Sequence, residues 1–176
     1  FDTADASSGD DGPRLPVIEV FKKMIKNPII MTIALIEFCS GFLRQAIMQW
    51  YRTFAKDTGQ AEGFVYDNWG MLLCIAGISG GVIAGVISDH VFQSRRGPVA
   101  AILYGSITVC SVALLMFYDT PALTIAGVKL SLPGVIAILT SMFVIGVHGM
   151  LSGTASMDFG GKKNVGVVVG IIDGFV

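Results

Sequence analysis

The chain has 176 residues, of which 53% are hydrophobic and only 14% charged, with a formal net charge of −1 and a mean hydropathy of +0.70. A soluble domain carries about a quarter of its residues charged, so this composition points to a membrane protein. The near-zero charge argues against a nucleic-acid partner. Cys39, Cys74 and Cys110 all lie in apolar runs without CxxC or Cys/His spacing, so no disulfide, metal site or cofactor is expected.

Residues 1–16, FDTADASSGDDGPRLP, have the polar, Gly/Ser/Pro-rich composition of a linker. Residues 17–27 follow as an amphipathic segment with lysines on one side, which fits an interfacial helix leading to a membrane. Asn27-Pro28 is a helix start. A first span is expected over about 28–48, long enough to cross a hydrocarbon core of about 30 Å. It carries Glu37, Arg44, Gln45 and Gln49, which lipid does not tolerate. Glu37, Gly41, Arg44 and Met48 recur at helical spacing and share a face that must look into a bundle or an aqueous cavity. Trp50 and Tyr51 sit where an interfacial aromatic belt belongs.

A polar loop leads to a second span over about 69–87, where Gly77, Gly81 and Gly85 form two overlapping GxxxG pairs and predict a close helix contact. The turn that follows, within GVISDHVFQSRRG from Gly85 to Gly97, is dense in charge: Asp89, Arg95 and Arg96. A third span covers about 98–118, and residues 119–132 form a short connection. A fourth span covers about 133–157 and contains His148. DFGGKKN, with Asp158 and Lys162, makes a second basic turn. A fifth span opens at about 165, with Gly166, Gly170 and Gly174 spaced by four and Asp173 inside it as a buried acid. Lys22, Lys23, Lys26, Arg95, Arg96, Lys162 and Lys163 fall on one side of these spans, and only Arg52, Lys56 and Lys129 on the other. The positive-inside rule places the opening linker and both basic turns in the cytoplasm.

The pattern G-x-x-S-D-x-x-F-x-x-x-R-G at Gly85–Gly97 resembles the loop signature of the major facilitator superfamily, in the form found in its organophosphate:phosphate antiporters. Two further stretches are similar to that subfamily: FCSGFLRQAIMQWYRTFAKDTG, with its Leu-Arg pair, and GTASMDFGGKKNVGVVVG. The sequence departs from the general signature in having His90 after the Asp, a longer spacing to Arg95, and a doubled Arg95-Arg96.

The resemblance implies an all-α membrane protein of the major facilitator fold, holding part of the C-terminal six-helix bundle: helices seven to ten and the start of eleven. The linker would be the cytoplasmic loop joining the two halves, and the N-terminal half would be the missing partner. The setting implied is the bacterial inner membrane, as a multi-pass protein embedded in the lipid bilayer. The implied activity is exchange of an organic phosphate for inorganic phosphate. The alternatives are a transporter-like sugar-phosphate sensor and a carrier of another organic anion. An enzyme is not expected, because the chain has no nucleophile–base pair, metal set or phosphate-cradling loop.

Arg44 matches the substrate arginine of that subfamily. Chemically, its guanidinium is a permanent cation with a planar fork for two phosphate oxygens. The other reading is a structural arginine paired with Glu37 or snorkelling to the interface. Gln45, Glu37 and His148 complete the candidate substrate set. Glu37 could pair with a charge elsewhere or stay protonated, and His148 could relay a proton, contact phosphate or bond across helices. Gly85, Asp89, Arg95 and Arg96, with Asp158 and Lys162, are candidates for conformational latches that break as two bundles rock.

Overall fold

The computed structural model describes residues 16–93, 95–152, 166–171 and 173–174. The chain divides into two compact units, residues 1–39 with 151–176, and residues 40–150. Asp158 and Lys162 lie outside the described residues.

In the first unit, helix α1 spans Val17–Lys26, with Glu19 in its first turn and Lys23 and Lys26 in its last, both favourable to the helix dipole. Val20 and Met24, one turn apart, are buried with Ile30 and Val168, and Val167 and Ile171 pack beside them. Pro28 disfavours helical geometry at the residue before it, and Asn27 is extended at φ −93°, ψ 111°. Asn27 then starts the next helix: its Oδ1 accepts the Ile29 N–H at 3.0 Å, with Pro28 in the first position, where its missing donor costs nothing.

Helix α2 spans Pro28–Asp57. It outruns the expected span end near Met48 because nothing in residues 49–57 breaks a helix: there is no glycine or proline before Gly59. Gly59 supplies the stop, at φ +69°. Its N–H donates to the Lys56 carbonyl at 3.2 Å, and the Gln60 N–H donates to the Ala55 carbonyl at 2.6 Å, the paired bonds of a Schellman cap.

The second unit continues through α3 (Phe64–Asp67), α4 (Trp69–Val86), a π-helical turn (Ile87–Val91) and α5 (Arg96–Phe117). It ends with strands β1 (Leu123–Ile125) and β2 (Val128–Leu130) and helix α6 (Leu132–Met150). The expected all-α membrane bundle is found, with one addition: the connection over 119–132 holds a two-stranded antiparallel hairpin. Its two-residue loop has Ala126 at φ 51° and Gly127 at φ 82°, the geometry of a type I′ turn.

Helix α6 packs against both α4 and α5 and buries ten of its residues, against four each for α4 and α5, so it is the central helix of the unit. Where α4 meets α6, a Cβ on Gly146 would stand 2.6 Å from the Gly80 carbonyl oxygen, and a Cβ on Gly80 would strike the Met142 carbonyl. This corrects the expected glycine contact. Gly81 and Gly85 face open space, and Gly77 meets only the Ile145 side chain, at 3.6 Å. The small row that faces α6 is Ala76, Gly80 and Ala84, one residue out of register.

Gln60 ties the far ends of three helices. Its Nε2 donates to the carbonyls of Tyr118 at 3.0 Å and Thr120 at 3.2 Å, and its Oε1 accepts from the Ser131 hydroxyl. The Ser131 oxygen in turn caps α6 by accepting the Gly134 N–H at 3.2 Å. Each buried polar group left unmet costs about 1–3 kcal/mol. Gln60→Leu is therefore expected to lower the melting temperature of the detergent-solubilised protein, whereas the exposed Gln45→Leu is expected to leave it unchanged.

Candidate anion-binding site

Arg44 lies on α2 and is half-buried, beside the buried Gly41. The helix is locked one to two turns further on. Tyr51 stacks on Trp69 with ring centroids 3.9 Å apart and planes 20° from parallel, and Trp69 Nε1 donates to the Met48 carbonyl at 3.4 Å. Tyr51, Ala55, Val65, Trp69 and Ala137 form a buried cluster around that stack. Gly134 is required there, since a Cβ would stand 2.5 Å from the Tyr51 hydroxyl. Tyr51 is thus a core residue and not a belt residue; Trp50, two-thirds exposed, fits the belt alone.

The two arginines of α2 differ in how they are satisfied. Arg52 lies 5.4 Å from the Tyr66 ring centroid and donates through Nη2 to the Tyr66 carbonyl at 3.4 Å. Arg44 has its Nε buried without an acceptor among the described residues. A guanidinium partly removed from water with an unmet donor carries an uncompensated desolvation cost, which an incoming oxyanion offsets.

The other candidates are dispersed. Gln45 is exposed, about 100° around the helix from Arg44. Glu37 is fully buried and, like the half-buried His148 in the last turn of α6, engages a further group. Asp89 is exposed within the π-helical turn, and Ser88 beside it is buried. Arg95 precedes α5 and is exposed, and Arg96 opens that helix; Asp89 and Arg96 each engage a further group. Gly85 is exposed with open space at its Cβ position. Asp173 is exposed rather than buried. It stands about 140° around a helix from the buried Val168, which places it on the opposite face.

Outside the spans, Lys129 Nζ lies 2.8 Å from Glu62 Oε2, joining the α2–α3 loop to β2. The hydrogen bond and charge of Lys129 hold the Glu62 carboxyl below its usual pKa, and Glu62 raises that of Lys129. The pair contributes fully between the unfolded pKa values of its two members. It is lost as pH falls through the lowered Glu62 value or rises through the raised Lys129 value. Both groups are exposed, so Glu62→Gln is expected to flatten a shallow acid dependence of melting and little else.

Four helices, Pro28–Asp57, Trp69–Val91, Arg96–Phe117 and Leu132–Met150, are long and apolar enough to cross a membrane. Such helices, punctuated by ionisable residues on α2 and α6, define a multi-pass integral membrane protein. Residues 2–176 match the Major Facilitator Superfamily, and the chain belongs to it. It is 28% identical over 155 residues to the "Glycerol-3-phosphate transporter" of Bacillus subtilis (strain 168), covering 86% of this chain and 32% of that protein. It is 25% identical over 158 residues to the "Putative glycerol-3-phosphate transporter 4" of Arabidopsis thaliana, covering 84% and 27%. It is 24% identical over 183 residues to "Putative glycerol-3-phosphate transporter 1" of the same plant, covering 98% and 32%. The chain thus spans about a third of the length of these relatives. No solved structure gives a significant match.

Proposed function

We propose that this chain forms part of a secondary transporter that exchanges an organic phosphate, such as glycerol 3-phosphate, for inorganic phosphate by alternating access. The observation that carries the reading is the half-buried Arg44, with its Nε unmet on a membrane-spanning helix. The names of the relatives support the cargo class. Two bundles would rock about a midplane site, with an N-terminal half supplying the opposing wall. An empty site holding a half-buried guanidinium with an unmet donor would cross slowly, which favours exchange over net leak. Asp89, Arg95 and Arg96 would form and break ion pairs as the cytoplasmic ends close and open, with Asp158 and Lys162 in the equivalent turn. The Lys and Arg distribution supports a cytoplasmic position for that side, and the membrane would be the bacterial inner membrane.

The test is counterflow. The complete transporter containing this sequence is reconstituted in proteoliposomes loaded with inorganic phosphate. External labelled glycerol 3-phosphate is expected to enter only when phosphate is inside. Uptake driven equally well by internal carboxylates would assign it to another anion class. Saturable binding without uptake would assign it as a sensor.

A further inference from the structure

We propose that α1 is an anchor for anionic phospholipid, seated in the headgroup layer at the leaflet where α2 enters the membrane. The apolar arc of α1 is wider than the part of it that is covered. At about 100° per residue, Val20, Met24, Val17, Phe21, Ile25 and Ile18 form one continuous apolar arc. Among the described residues, burial reaches only the Val20–Met24 edge of it, against Ile30 and Val168. Val17, Ile18, Phe21 and Ile25 stay 59%, 68%, 41% and 50% exposed.

Lys22 and Lys26 border that uncovered strip, and Lys23 lies beyond the buried edge; Glu19 is the helix's sole acid. A strip of large apolar side chains flanked by lysines matches a membrane surface: the strip enters the acyl boundary and the ammonium groups reach up to phosphates. The position agrees, because α1 ends one residue before α2, a helix long and apolar enough to span. The extended Asn27 between them redirects the chain, so α1 need not continue into the hydrocarbon. The excess of three lysines over one acid selects anionic headgroups. Each net positive charge near such a surface strengthens attachment roughly fivefold, so the excess of two gives on the order of 25-fold.

The experiment is a spin-label scan of residues 17–26 in the complete transporter, with Cys39, Cys74 and Cys110 replaced by alanine. The nanodiscs contain either phosphatidylcholine alone or a 7:3 phosphatidylcholine–phosphatidylglycerol mixture. In the mixture, labels at Val17, Ile18, Phe21 and Ile25 should be accessible to oxygen and shielded from a water-soluble nickel reagent. Labels at Lys22 and Lys26 should show the reverse. Removing phosphatidylglycerol should lower the inserted population at least tenfold, and a Lys22/Lys23/Lys26→Gln variant should have lost that dependence. Where one labelled position prevents folding, its neighbour on the same strip replaces it. Four results would overturn the anchor: a strip shielded from both reagents, meaning protein covers it; a strip open to nickel in the mixture; insertion unchanged without phosphatidylglycerol; or insertion restored in pure phosphatidylcholine by free inorganic phosphate. The readout is depth and not transport, so it stands whether or not the exchange reading does.

Discussion

Gly80→Ala is expected to lower the melting temperature of the solubilised protein, while Gly81→Ala leaves it unchanged or raises it slightly. Two effects oppose each other in both variants. Alanine removes glycine's helix penalty of about 1 kcal/mol. At Gly81 nothing stands within contact of the new methyl group, so only that gain remains. At Gly80 the methyl group meets the backbone of Met142, which cannot swing aside as a side-chain tip would, so α4 and α6 must separate. Overpacking costs about 1–3 kcal/mol, and separating the central helix from a neighbour belongs at the upper end. Gly146→Ala should behave like Gly80→Ala, because its methyl group meets the Gly80 carbonyl from the other side. The double variant should cost less than the sum, since one substitution has already opened the contact. Equal shifts for Gly80→Ala and Gly81→Ala would show that a different row faces α6.

That pair of glycines shows where the sequence stops being informative. Two rows of small residues run side by side along α4, 76/80/84 and 77/81/85, and both satisfy the spacing that close packing demands. Which row meets a neighbour depends on how α6 lies against α4, and no local pattern carries that. The Asn27-Pro28 start was legible because both residues act locally, through a side-chain cap and a fixed φ. The end of α2 was not, because a change in polarity marks where lipid should end while the helix itself runs on to Gly59. The Gln60 clasp joins residues up to 71 positions apart, so nothing near Gln60 announces it. The hairpin is similar: an Ala-Gly loop lacks the Asn or Asp that usually signals a type I′ turn. For the candidate site, residue types could be read directly, since a charge within an apolar run stands out. Its environment could not: the difference between Arg52, satisfied by Tyr66, and Arg44, left with an unmet Nε, exists only in three dimensions.

On the proposed exchange reading, Arg44→Lys should slow phosphate exchange roughly ten- to hundredfold, and Arg44→Gln should abolish it. Lysine keeps the charge but replaces a planar fork with a point donor, so one of two parallel bonds to the phosphate is lost. A hydrogen bond to a charged group contributes about 1.5–3 kcal/mol, and each 1.4 kcal/mol is a factor of ten. Glutamine loses the charge as well, leaving a dianion in low dielectric with no counter-charge at that position. Melting separates this from a structural role. The Arg44 Nε meets no acceptor among the described residues, so removing the guanidinium breaks no bond there and should leave stability unchanged or higher. A structural arginine would give the opposite pattern: a lower melting temperature, with exchange falling only as far as the amount of folded protein falls. Labelled glycerol 3-phosphate counterflow, normalised to folded transporter, makes the comparison. Normal exchange by Arg44→Lys would remove Arg44 from the substrate site.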